Sequence, residues 1–123
     1  MTDKKRTNKY GNHKTVYDGI TFDSKKEADR YEFLKEQQEQ GIIHNLECQK
    51  EFLLIPPQIY QGKRYRKCSY FADFYYMDSD NNIIVEDVKG FSKGRFSTET
   101  PEFRMKRKLL IQQYGKEINF RII

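Results

Sequence analysis

Apolar and polar positions along this chain switch back and forth between strand-like alternation and helix-like spacing. Val16 to Phe22 alternates around Asp18-Gly19, a dipeptide suited to a tight turn, so a small hairpin is predicted. Asp23 or Ser24 can cap a helix, and Glu27 stands at the capping-box position after Ser24. Glu27, Tyr31, Leu34 and Gln38 then share one helical face, which predicts a helix to about Gln40 with Gly41 ending it. Residues 42–55 read as a long extended stretch that Pro56-Pro57 stops. A turn at Gln61-Gly62-Lys63 leads into a second strand, from about Tyr65 to Met77. Asp78 to Asn82 is a turn cluster, and a third strand runs from Ile83 to Lys89. The 90–100 segment, rich in Gly, Ser and Thr, reads as a loop. Pro101 suits a first helical turn, the helix runs to about Tyr114, and Gly115 ends it before a last strand, Glu117 to Ile122.

Helix, three strands, helix, strand is an α/β order, with a central mixed sheet flanked by helices. A chain of 123 residues holds one domain, expected over residues 14–123 behind a polar, basic arm at 1–13. Charged residues make up 33% of it, so the core is modest, and the 9 Tyr and 9 Phe must supply much of the buried area. No apolar run approaches the roughly 20 residues of a membrane helix. Met1 to Arg6 leads into polar residues rather than an apolar signal core, which points to the cytoplasm. Cys48 and Cys68 are then free thiols, and with His13 and His44 they match no compact zinc spacing.

The net charge of +5 is unevenly spread. Basic residues gather in the arm, at Lys63-Arg64-Tyr65-Arg66-Lys67, from Lys89 to Arg95, and from Arg104 to Lys108. One such cluster would be ordinary solvated charge. Together they indicate a polyanion, nucleic acid above all. Lys63, Arg64, Arg66, Lys67, Lys93, Arg95, Arg104 and Lys106 are the candidate phosphate contacts. Lys106 serves equally well as a surface lysine whose stem covers apolar area.

The chemistry concentrates on two of the predicted strands. Asp73 lies in Tyr70-Phe71-Ala72-Asp73-Phe74-Tyr75-Tyr76-Met77, aromatic on both faces, where a carboxylate is costly unless it is paired or binds a cation. Asp87 and Lys89 follow another apolar run and leave the same face of their strand, with Glu86 on the opposite face. Carboxylates from adjacent strands suit Mg²⁺, a hard cation that takes oxygen ligands, and the Val88 carbonyl is a further ligand oxygen. Lys89 can orient a water or stabilise charge on a phosphate. The bland alternative is a cross-strand salt bridge. Glu27 lies in line with the apolar stripe of the first helix, so it should face the sheet. Its competing role is the capping-box partner of Ser24. Gln49, on the first strand, could reach the site through a water.

A helix Glu (Glu27), a strand Asp (Asp73) and a strand Asp-x-Lys (Asp87-Val88-Lys89), in that order, resemble the PD-(D/E)XK nuclease superfamily. The stretches Tyr17 to Ala28, Ala72-Asp73-Phe74 and Val85 to Gly90 are similar to small phage-encoded proteins described as endonuclease-like or Holliday-junction-resolvase-like. The resemblance covers about residues 9–123, and departs from the family pattern in having Ala72 rather than proline before Asp73. It implies a restriction-endonuclease-like αβββαβ core and Mg²⁺- or Mn²⁺-dependent cleavage of DNA, duplex or branched. Glu27, Asp73, Asp87 and the Val88 carbonyl would hold metal, and Lys89 would be the catalytic lysine. It further implies a homodimer working in the cytoplasm, that of the host if the protein is phage-encoded. No membrane or small-molecule cofactor is expected. The competing expectation is a non-catalytic DNA-binding or assembly module on the same fold.

Overall fold

The structure, a computed structural model, describes residues 15–89 and 99–123. The expected arm at 1–13 and most of the expected 90–100 loop, with Lys93 and Arg95, lie outside the described residues. The predicted first hairpin forms from β1 (Thr15–Tyr17) and β2 (Ile20–Phe22). Asp18 and Gly19 both have positive φ, 55° and 76°, as the tight turn between twisted strands requires. Helix α1 (Lys25–Glu39) starts where the Ser24 side chain accepts the Glu27 N–H at 3.1 Å. Glu27, Ala28, Tyr31 and Leu34 are its buried residues.

The central sheet is four-stranded, in the order β3 (His44–Ile55), β6 (Cys68–Met77), β7 (Ile83–Asp87), β8 (Ile118–Ile122). The first two pairings are antiparallel, and β7 and β8 are parallel, joined through helix α2 (Pro101–Tyr114). The Thr100 hydroxyl caps α2 by accepting the Phe103 N–H. Gly115 caps its C-terminus by donating its N–H to the Ile111 carbonyl, so close to that oxygen that a Cβ at this position would collide with it.

Two refinements to the sequence reading have local causes. The second strand was expected from Tyr65, yet residues 58–65 form a separate ribbon, β4 (Gln58–Tyr60) paired with β5 (Lys63–Tyr65). Pro56-Pro57 interrupts the ladder after β3, and Gln61 and Gly62, with φ of 52° and 78°, close a turn that pairs the flanking residues with each other. The third strand stops at Asp87 rather than Lys89 because the Val88 N–H goes to a side chain, the Asp73 carboxylate, at 2.7 Å.

A core lies on each face of the sheet. On the α1 side, Ala28, Tyr31 and Leu34 pack on Phe22, Phe74, Tyr76 and Ile84. On the α2 side, Leu110 packs with Phe52, Leu54, Tyr70, Ala72 and Val85. Full burial of such a side chain contributes about 1.5–3 kcal/mol.

Membership of these cores exposes a break in the pleat. Strict alternation would put Tyr70, Ala72, Phe74 and Tyr76 on one face. Instead the first two lie on the α2 side and the last two on the α1 side. On β3 the same exchange separates Leu46 and Cys48 from Phe52 and Leu54. Both strands therefore roll over between these groups. Gln49 and Asp73 stand opposite each other there, flanked by the pairs Cys48–Phe74 and Lys50–Ala72, and Gln49 has a φ of 53°.

α1 is fastened to the sheet by a buried polar clamp. Glu86 is fully buried, receives both Nε and Nη2 of Arg30 at 2.8 and 2.6 Å, and accepts the Tyr76 hydroxyl at 2.5 Å. Among the described residues no helix is long and apolar enough to cross a membrane. Replacing Arg30 by Met strands the Glu86 carboxylate and is expected to lower unfolding stability by about 3 kcal/mol. Tyr76→Phe is expected to cost about 1 kcal/mol. Urea denaturation curves with unchanged slopes check both values.

Candidate active site

The rolled-over segment of β6 gathers the predicted residues from both faces of the sheet. Glu27 arrives from the α1 side. Its carboxyl, when protonated, hydrogen-bonds to the Asp73 carboxylate, and it also accepts the Asp23 backbone N–H. Asp73 accepts from Gln49 Nε2 at 3.2 Å and from the Val88 N–H at 2.7 Å. Asp87 arrives from the α2 side, accepting the Tyr70 hydroxyl at 2.7 Å. Lys89 Nζ stands 2.6 Å from Asp87 Oδ2, an ion-pair contact without hydrogen-bond geometry. Oδ2 is buried and accepts no hydrogen bond. Glu86 faces α1 and is consumed by Arg30 and Tyr76, as its opposite face on the strand predicted.

Three carboxyls and one ammonium so arranged carry excess negative charge in a partly buried place. Burial is the main cause that pushes Glu27 up to about 7, followed by the charges of Asp73 and Asp23 and the hydrogen bond to Asp73. Asp73 is raised chiefly by burial and further by Asp87, against the pull of the Val88 N–H. The Tyr70 hydroxyl is raised by burial and by Asp87, which fixes it as a hydrogen-bond donor. Cys48 lies close enough to feel Glu27 and Asp73, and burial with those charges pushes its thiol up to about 11. It is therefore an inert thiol.

Several contributors lay outside the sequence reading. Gln49 touches Asp73 directly rather than through a water. Lys89 Nζ rests 3.4 Å above the centre of the Phe103 ring, and Arg107 lies 5.1 Å from the same ring. Arg107 is held by Glu99 through both guanidinium nitrogens, at 2.8 and 3.0 Å. Lys26 Nζ donates to the Lys89 carbonyl at 3.0 Å. The i, i+4 spacing that puts Phe103 and Arg107 on one face of α2 is the signal the sequence offers for them.

The expected basic contacts divide. Lys63 and Arg64 lie on β5, with Arg66 and Lys67 after it, and all four are exposed. Lys67 also pairs with Glu51 at 2.8 Å. Arg104 reaches the Glu99 carbonyl at 3.2 Å, and Lys106 pairs with Glu102 on its own helix at 3.2 Å.

Among the described residues no three His, Cys, Asp or Glu side chains form a ready metal-ligand group. The carboxyls are engaged with the chain's own donors. The donor set is nonetheless all oxygen, which suits Mg²⁺ or Mn²⁺. It contains one buried carboxylate oxygen without a hydrogen bond, Asp87 Oδ2. The Val88 carbonyl leaves an extended backbone on the same side as its N–H, toward Asp73.

Fold and site together define the class: an α/β protein whose four-stranded mixed sheet carries an acidic cluster with one lysine where its middle strands part. The chain matches the family described as Protein of unknown function (DUF1064) over residues 7–123, and it belongs to that family. No curated protein and no solved structure matches it.

Folding raises the Glu27 carboxyl from 4.5 to about 7, so the folded state binds more protons across that window. Stability contributed by the protonated carboxyl is full below about 4.5 and is lost as pH rises through about 7. Asp18, Glu51, Asp78 and Glu99 are shifted downward, and their contributions are lost only in acid. Glu27→Gln should therefore melt progressively higher than wild type as pH is raised from 5 to 8. Thermal melts of both proteins across that range measure the widening gap.

Proposed function

We propose that this protein is a metal-dependent DNA endonuclease of the PD-(D/E)XK type. The observation that carries the reading is a chain of contacts from one helix and two strands: Glu27 hydrogen-bonded to Asp73, Asp73 under the charge of Asp87, and Asp87 paired with Lys89. The order α1, β3, β6, β7, α2, β8 supports a restriction-endonuclease-like αβββαβ core, with β1–β2 and β4–β5 as additions. Basic residues on the β4–β5 ribbon and on α2 support a DNA partner, through salt-sensitive phosphate contacts.

Asp73, Asp87, Glu27 and the Val88 carbonyl would hold Mg²⁺ or Mn²⁺, which when bound supplies Lewis-acid activation of water and of the phosphate. The chain's own groups do the rest. Asp73 is aimed by Gln49 and the Val88 N–H, so its carboxylate keeps one orientation. Tyr70 does the same for Asp87, leaving Oδ2 to the Lys89 ammonium. Lys89, seated on Phe103, presents its ammonium beside Asp87, where it can stabilise charge on a phosphate or orient the attacking water. Glu27 shares a proton with Asp73, and both carboxyls would have to give up that proton to hold a cation. A homodimer would let one site per subunit address two strands.

Purified protein should nick or cut supercoiled plasmid with Mg²⁺ or Mn²⁺ and stop in EDTA. Asp73→Asn and Lys89→Ala should each slow cleavage about 100-fold or more, with DNA binding in gel shifts largely kept. Equal cleavage by wild type and Asp87→Ala would remove the site assignment. Binding without cleavage under every metal condition would favour the non-catalytic DNA-binding module instead.

A further inference from the structure

The β4–β5 ribbon stands apart from the central sheet and carries large apolar side chains in the open. Ile59 is 70% exposed, Tyr60 63% and Tyr65 43%. Two-stranded ribbons are marginal alone, and exposed aromatics add nothing to their packing. The register gives this arrangement an order. Gln58 pairs with Tyr65, Ile59 with Arg64, and Tyr60 with Lys63. Paired residues share a face, so Tyr60, Lys63 and Tyr65 lie together on one side and Ile59 with Arg64 on the other. The Lys63 ammonium sits 5.3 Å from the centre of the Tyr65 ring. At the base of the ribbon, Pro57, Ile59, Arg64, Tyr65, Arg66 and Lys67 line an open groove of about 740 Å³, predominantly apolar and rimmed by cations.

Two rings with a lysine on one face, and cations along the edge, are the parts of a base-stacking platform. An apolar protein partner would leave Lys63, Arg64 and Arg66 to be desolvated without counter-charges. A blunt duplex would meet the cations but offers its base faces to no ring. Unpaired nucleotides meet both requirements, giving phosphates to the cations and base faces to the tyrosines. The placement agrees. β7 ends at Asp87, whereas β6 extends past that level toward Cys68, on the side from which the ribbon springs. Five residue steps of strand lead from Cys68 to Asp73, ~17 Å of chain, and the ribbon ends three residues before Cys68, at Tyr65.

We propose that the β4–β5 ribbon is a stacking platform for an unpaired DNA strand, so that the protein selects duplexes carrying a flap, fork or open junction beside the carboxyl cluster. This rests on the nuclease reading for the identity of the partner, but it is tested by binding alone. Full-length protein in EDTA would be titrated, by fluorescence anisotropy, against a blunt duplex, the same duplex with a single-stranded flap, and the flap strand alone. Wild type should bind the flapped duplex more tightly than the blunt one. Tyr60→Ala combined with Tyr65→Ala should weaken flap binding about tenfold or more and erase the preference, leaving blunt-duplex binding unchanged. Phe at both positions should restore it, and 2-aminopurine in the flap should be quenched by wild type and by the Phe pair only.

Equal affinity of wild type for flapped and blunt DNA, or an Ala pair that binds the flap as wild type does, overturns the platform. So does an Ala pair that turns a dimer into a monomer in sedimentation, which would make the ribbon a self-association surface. Matched melting temperatures of the two tyrosine variants exclude loss of fold as the cause. Flap preference without any cleavage would sink the nuclease reading and leave the platform standing. Cleavage without flap preference would do the reverse.

Discussion

The point on which the site depends is the roll-over of β3 and β6 at Gln49 and Asp73. A flat, regular strand would keep Asp73 on one face of the sheet. Glu27 belongs to the α1 face and Asp87 to the α2 face, so no such strand could bring both to one carboxylate. By changing faces at Asp73, β6 presents that side chain in the gap where it parts from β7, and carboxyls from both layers reach it. The cost is visible in the backbone: Gln49 takes a left-handed φ of 53°, uncommon for a residue with a side chain. The Gln49 amide returns part of it through its hydrogen bond to Asp73.

Glu86 and Asp87 show how neighbouring carboxylates on one strand can have opposite purposes. Both are buried. Glu86 is satisfied by three donors and is removed from chemistry. Its bond to Arg30 also positions the site, since Arg30 lies one turn along α1 from Glu27 and shares its face. The clamp thus sets the height and rotation of the helix that delivers Glu27. Asp87 is held on one oxygen by Tyr70 and left on the other with an ion-pair contact alone. The Lys89 ammonium balances the charge of that oxygen, so the salt bridge weighed as the bland alternative is formed, between Asp87 and Lys89 of the same stretch of chain.

The elements were legible because their signals are local. Ser24 before Glu27, Asp18-Gly19, Pro101 and Gly115 each mark a boundary through their own backbone chemistry, and the helices and strands follow within a few residues. The opposite faces of Glu86 and Asp87 were legible too, from alternation alone. What alternation could not supply was the roll-over, because it is a departure from alternation imposed by two strands at once. Regular alternation therefore brings Gln49 to the site only through a water, whereas the roll-over puts its amide directly on Asp73. The turn of the β4–β5 ribbon was legible at Gln61-Gly62-Lys63, but the break between β5 and β6 was not, because no Gly or Pro at Arg66-Lys67 marks the end of a strand. Phe103 was visible as a core-facing residue, but its place beneath Lys89 depends on how α2 packs across the sheet.

The seat of Lys89 bears on what that lysine can do. A lysine beside Asp87 in water would be a mobile ion pair of little worth. Here the side chain is only 22% exposed, and its ammonium lies 2.6 Å from Asp87 and rests on the face of Phe103. Arg107 lies near the same ring but is committed to Glu99, so it supplies positive potential without competing for Asp87. Lys26 holds the Lys89 backbone carbonyl from the opposite layer. The lysine is therefore fixed at both its ends, by α1 at the backbone and by α2 at the ammonium. An anion approaching the cluster meets a cation that needs little reorganisation, and that is the condition under which a single positive charge contributes most to stabilising a developing negative one.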